Sequence, residues 1–150
     1  MQQTIDQLEQ IVQEYAPRLQ EITEEEFIAR RAPGKWTKKE LVGHLVDSAQ
    51  NNIRRFVVGQ YEQHPFIKYD QDKWVAAANY QQYNTADLLA FWILINKHIC
   101  VLLRNMPSGA EQRECMTDQL HSIAWLAQDY IRHLLHHLHQ VLMMEPIAYP

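Results

Sequence analysis

The sequence is short of turn formers. Among its 150 residues there are only 4 glycines and 6 prolines, too few for the frequent tight turns of an all-β sandwich, and the deficit points to long helices. It has just 2 cysteines, Cys100 and Cys115, which cannot build a disulfide framework. Cys100 stands in the apolar run FWILINKHICVLL and reads as a small hydrophobe, while Cys115 falls in a polar connecting stretch. A basic excess is also missing. The net charge is -4, against the basic face that a general nucleic-acid binder needs, so no nucleic-acid partner is expected. No apolar run approaches the ~18 residues of a membrane span. The opening MQQTIDQLEQ is polar and acidic, unlike the basic and then apolar start of a signal peptide. These absences together predict reduced thiols, no membrane partner and a cytoplasmic location. What is present is an ordinary globular composition, 47% hydrophobic and 21% charged. That suits one compact domain over residues 1–150.

Four segments carry helical periodicity. In the first, about Thr4 to Leu19, the residues Ile5, Leu8, Ile11, Val12, Tyr15 and Leu19 share one face. Pro17 predicts a bent or lost last turn. The second opens at Thr37 with Glu40 three residues on, the pattern of a capping box, and runs to about Val58 before Gly59. The third opens at Thr85 as cap and ends near Met106, before Pro107, Ser108 and Gly109. The fourth runs from about Asp118 to Met144, ahead of Pro146. Residues 60–84 between the second and third helices are long for a hairpin connection. They can carry the chain back along the bundle and leave helices 2 and 3 parallel, with one short helical turn in YDQDKWVAAANY. The predicted fold is all-α, a single four-helix bundle with one long crossover.

Histidine is the unusual abundance. There are 8, and the stretch DYIRHLLHHLHQVL of the fourth helix alone holds His133, His136, His137 and His139. Residues four apart on a helix stack one turn apart, so His133 and His137 can share a metal ion. His136 and His139 have no such partner. On a helical wheel the pair lies at the edge of the apolar face, while His136 and His139 point outward. A solvated or interfacial histidine cluster is the competing reading, and spacing does not separate the two. Leu134 follows His133, so there is no His-Glu-x-x-His protease motif. The lack of a helical Glu-x-x-His argues against a carboxylate-bridged di-iron site. A third ligand is needed, and the second helix offers His44. It lies off that helix's apolar stripe, in line with Ser48, Asn51 and Arg55. Periodicity favours a solvated polar face there over a polar lining for an internal cleft.

The stretch APGKWTKKELVGHLVDSAQNNIRRF resembles the second-helix signature of the DinB/YfiT-like metalloenzyme family, with Gly34, Trp36 and Thr37 followed by His44, Leu45, Asp47 and Ser48. The segment Tyr69 to Trp74 is similar to the family's crossover, and YIRHLLHHL to its fourth-helix signature. The resemblance covers about Ala32 to Val141. It implies an up-down-down-up four-helix bundle and one divalent metal, Zn or Ni, held by His44, His133 and His137. His136 matches a family histidine outside the ligand set. The stretch PSGAEQRECM between helices 3 and 4 departs from the closest YfiT-like members, and as a border of the cleft it bears on the substrate.

Three neutral imidazoles leave the metal its charge and open positions, so it can lower the pKa of water to about 7 or bind a thiol as thiolate. The resemblance implies a thiol S-transferase acting on small electrophiles, with a low-molecular-weight thiol such as bacillithiol, mycothiol or glutathione as co-substrate. The alternatives are a metal-dependent hydrolase of small amides or esters and a non-catalytic ligand- or partner-binding bundle. No catalytic side chain is identified. Asp47, one turn past His44, is either a group that orients a ligand or a surface carboxylate. Leu135, Met143 and Met144 lie outside the main apolar face of the fourth helix, as a homodimer contact or as scattered surface hydrophobes.

Overall fold

The computed structural model describes residues 1–149. Its four long helices are α1 (Gln2–Gln20), α3 (Lys38–Val58), α5 (Thr85–Arg104) and α6 (Ile123–Leu142), joined by the short helices α2 (Glu24–Ile28) and α4 (Gln71–Ala78) and a small hairpin, β1 (Glu114–Met116) and β2 (Leu120–Ser122). The bundle runs up-down-down-up. Helices α1 and α3 each pack on both α5 and α6, and the chain from α3 to α5 is the long crossover.

Helix starts follow local chemistry. Thr37 and Glu40 form the expected capping box on α3: the Thr37 side chain accepts from the Glu40 N–H and the Glu40 carboxylate from the Thr37 N–H. The same device, Thr23 with Glu26, starts α2, which periodicity did not predict. Helix α5 is capped by Asn84, one residue before the expected Thr85. Pro17 does not end α1. Leu19, with no exposed surface, anchors the turn beyond it, and the Glu21 N–H closes onto the Pro17 carbonyl at 3.2 Å.

The largest departure is at the start of α6. The helix begins at Ile123, capped by Ser122, and not at Asp118. The residues before it pair as an antiparallel ladder, Glu114 with Ser122 and Met116 with Leu120. The crossover is stitched to this hairpin, since the Ile67 N–H donates to the Met116 carbonyl at 2.9 Å and the Met116 N–H to the Pro65 carbonyl at 3.0 Å. Cys115, placed by sequence in a polar stretch, is fully buried there, its thiol on the Pro65 carbonyl at 3.1 Å.

Helix α5 corrects the reading that no apolar run approaches a span. Its 20 residues, with mean hydropathy 1.7 over the most apolar window, are long and apolar enough to cross a membrane by that measure. In the bundle they act as a core helix. Leu88, Trp92, Ile95, Ile99 and Cys100 are buried. Asn96, also buried, accepts from the Tyr130 hydroxyl at 2.6 Å and donates to the Trp92 carbonyl at 2.8 Å. Burial of these side chains, at roughly 25 cal/mol per Å² of apolar surface, is the main term holding the four helices together.

Candidate metal centre

The polar line of α3 faces inward. His44 and Asp47 are fully buried, and Ser48, Asn51 and Asn52 each expose only 5% of their surface. The preference for a solvated face is thus overturned. The crossover and α6 cover this side of α3, so its polar side chains line an internal cleft.

His44, His133 and His137 come together. One ring nitrogen from each lies within 4.8 Å of the other two. The Nε2 atoms of His44 and His133 are 3.0 Å apart, close to the roughly 3.3 Å edge that tetrahedral geometry sets between two nitrogens ~2.05 Å from zinc. The ring centroids of His137 lie 4.9 Å from His44 and 4.5 Å from His133. The outer nitrogens set the tautomers of the α6 pair. His137 Nδ1 contacts Gln140 Oε1 at 2.8 Å and donates, leaving Nε2 as a lone pair. His133 Nδ1 faces the Ser48 hydroxyl at 3.4 Å. Burial favours neutral imidazoles. It draws His44 down to about 3, with His137 adding to the effect, and lowers His133 and His137 as well. His44 Nδ1 has no hydrogen-bond partner among the described residues, and Trp36 covers its ring at 4.9 Å. Neutral lone pairs converging at this spacing fit a divalent cation.

His136 and His139 do not join the cluster, and they do not simply point to solvent. Both nitrogens of each are engaged. His136 Nδ1 donates to the Ile147 carbonyl at 2.6 Å, and its Nε2 accepts from Gln140 at 2.8 Å. His139 Nδ1 donates to the Glu145 carbonyl at 2.7 Å, and its Nε2 accepts from the Tyr15 hydroxyl at 3.0 Å. They clamp the segment after α6 and the first helix. Met143 is exposed, whereas Leu135 packs half-buried against the core and the Met144 sulfur accepts from Arg18 at 3.2 Å.

Asp47 is no surface carboxylate. Its Oδ1 accepts from the Tyr80 hydroxyl. Burial raises the carboxyl to about 6, against the lowering effect of the Tyr80 hydrogen bond, and its Oδ2 has no hydrogen-bond partner among the described residues. Tyr80 reaches it because Gly43 has no side chain: a Cβ there would sit 2.1 Å from the Tyr80 ring. The sequence held a signal for this contact, a glycine inside an otherwise regular helix, which marks a close approach.

A cavity of about 620 Å³ opens beside the histidines, with His133 and Ser48 in its wall. Thr117, Gln119 and His121 from the hairpin border it, whereas the stretch from Pro107 to Met116, expected at the border of the cleft, contributes none of its lining residues. The His121 ring stacks on Trp125 with centroids 3.7 Å apart.

The sequence model of the DinB superfamily matches residues 7–141. A Bacillus mycoides protein named "putative metal-dependent hydrolase" is 31% identical over 71 residues, 47% of this chain and 41% of the relative. A Bacillus cereus protein of the same name is 30% identical over the same shares. The chain thus matches less than half the length of these curated relatives. Among solved structures, YfiT from Bacillus subtilis, described as a probable metal-dependent hydrolase with an unusual four-helix bundle topology, superposes with TM-score 0.83 at 22% identity, over 95% of this chain and 83% of that one. A mycothiol-dependent maleylpyruvate isomerase superposes with TM-score 0.77 at 14% identity, over 98% of this chain and 61% of that one. At these identities the two structures show the shared fold.

Proposed function

The chain belongs to the DinB superfamily, and from that premise we propose that it is a metal-dependent enzyme, a thiol S-transferase acting on small electrophiles. The observation that carries the reading is the convergence of His44, His133 and His137, with His133 in the wall of an open cavity. A divalent ion held by these three residues, zinc or nickel, would supply a full positive charge that makes a bound thiol or water nucleophilic near neutral pH. The chain does the positioning. Ser48 and Gln140 hold the outer nitrogens of His133 and His137, which fixes the direction of their lone pairs. Trp36 shields His44 from solvent. The Asp47 carboxylate, tied to Tyr80, braces α3 one turn from His44. A cavity of about 620 Å³ has room for a thiol and an electrophile together, since single small ligands fill pockets from ~300 Å³ upward. The mycothiol dependence of one structural neighbour supports a bacillithiol-, mycothiol- or glutathione-type co-substrate.

A second reading, hydrolysis of small amides or esters, is favoured by the names of the curated relatives. The two separate in one experiment. Purified protein is loaded with zinc or nickel and supplied with an electrophile and a thiol, or with an ester and no thiol. Metal-dependent thiol consumption supports transfer, and ester turnover without thiol supports hydrolysis. Absence of both, with metal bound, rejects the enzyme reading and leaves a ligand-binding bundle.

A further inference from the structure

The charges around the cavity do not cancel. Three cationic side chains line it, Arg55, Lys68 and Arg132, with two carboxylates, Asp118 and Asp129. Lys68 pairs with Asp118, and Arg132 with Asp129 at 3.0 Å. Arg55 makes no ion pair among the described residues. Its Nε donates to the Ile67 carbonyl at 3.2 Å and its Nη1 to Asn52 Oδ1 at 3.3 Å, both neutral acceptors. Its Nη2 has no protein acceptor among the described residues.

A half-buried guanidinium with neutral partners is a costly arrangement, because charge withdrawn from water needs a counter-charge. Burial accordingly draws the Arg55 pKa below its ordinary value. Asn52 is held in place for this contact, its Nδ2 donating to the Ser48 carbonyl at 2.9 Å. Ser48 in turn faces His133. One face of α3 therefore carries a continuous polar line from the guanidinium to the candidate metal ligands. His44 and Arg55 are eleven residues apart, three helical turns or ~16 Å of axis at 1.5 Å per residue, and the long arginine side chain spans part of that distance.

We infer that Arg55 is the anion anchor of this cavity and binds a carboxylate on one of the two reactants, holding the reactive end of that molecule toward the histidines. A single uncompensated positive charge matches a monoanion, and the planar guanidinium suits a carboxylate. The neighbouring Asp129 and Asp118 disfavour a dianionic phosphate. The inference deepens the enzyme reading above, but its test does not depend on turnover.

The test uses the chelator-treated 150-residue chain and an unreactive pair of probes, phenylacetate and phenylacetamide, with binding followed by tryptophan fluorescence or calorimetry. Phenylacetate is expected to bind at least tenfold more tightly than the amide. Arg55→Met should abolish that preference, and Arg55→Lys, which keeps the charge and loses the fork, should retain part of it. Equal binding of the two probes by the natural protein overturns the proposal, as does a preference that survives in Arg55→Met. If Arg55→Met does not fold, an Arg55→Lys protein whose preference equals that of the natural protein also overturns it. Competition on zinc-loaded protein then assigns the source of the carboxylate. If N-acetylcysteine, at a concentration that just fills the metal site, excludes phenylacetate, the carboxylate belongs to the thiol; if the two bind together, it belongs to the electrophile. Because no metal is needed for the first step, a failed transferase assay and a failed anion site remain distinguishable.

Discussion

Two pairs of histidines share the last three turns of α6 and have opposite fates. His133 and His137 turn toward His44, and the inward nitrogen of His133 meets only the His44 Nε2, at 3.0 Å. His136 and His139 have both ring nitrogens engaged, by Ile147 and Gln140 in one case and by Glu145 and Tyr15 in the other. An imidazole has two nitrogens, and metal binding needs one of them as an unengaged lone pair. The difference between the pairs is therefore one of partners: the inward nitrogen of His133 meets another imidazole of the cluster, while Nε2 of His136 and of His139 is taken by Gln140 and Tyr15. Residue type and burial do not distinguish them, since all four are partly buried.

The sharpest way to break this comparison is elemental analysis. His133→Ala and His137→Ala should each lose nearly all bound metal, because two ligands do not make a stable site. His136→Ala and His139→Ala should retain it. If His136→Ala empties the site as fully as His137→Ala, the distinction fails. His44→Ala belongs with the first pair and tests the link between α3 and α6.

Acid and chelation come next in size. In chelated protein, His44 titrates near 3 when folded and near the ordinary 6.5 when unfolded. The unfolded chain therefore takes up protons first as pH falls. The histidine contribution to stability is complete above ~6.5 and is lost as pH drops toward 3, by several kcal/mol over that range. His133 and His137 act in the same direction. Asp47 acts oppositely: raised from 3.8 to about 6, it binds its proton earlier in the fold and adds stability as pH falls from 6 to 4. Three histidines outweigh one carboxyl, so the melting temperature should fall between pH 6.5 and 4. Metal binding should oppose this fall, and a chelator at pH 7 should lower the melting temperature of loaded protein by several degrees. An unchanged melting temperature after the metal is stripped would mean that the ion does not tie α3 to α6.

A smaller effect is expected at Gly43. Gly43→Ala drives a methyl into the Tyr80 ring and should destabilise the fold by about 1–3 kcal/mol. Tyr80→Phe, which removes the hydroxyl on Asp47, should cost about 1–2 kcal/mol. Denaturant unfolding of the two variants measures both. The smallest effect belongs to the second histidine pair. His139→Ala loses its bond to the Tyr15 hydroxyl and should cost about 1 kcal/mol with metal content intact.

Much of the fold was legible because it rests on local chemistry. Thr37 and Glu40 placed the start of α3 to the residue, and the spacing of His133 and His137 placed them on one face. What was not legible depended on partners distant in sequence. The residues from Asp118 to Ser122 have no helix-breaking glycine or proline, and they leave the helix because β2 pairs with β1 and β1 with the crossover. The polar line through His44, Ser48 and Arg55 was read as solvated because polarity usually marks the surface. Here the crossover and α6 cover it.

By itself the sequence determined the helical class, the long crossover and the histidine pair on α6, because capping and periodicity act within a few residues along the chain. Only the tertiary structure decided which nitrogens of the α6 histidines face one another, that His44 turns inward to meet them, and that Arg55 has no ion-pair partner among the described residues. Each of these depends on groups dozens of residues away, and no local pattern records which hydrogen-bond acceptors packing will bring to a side chain.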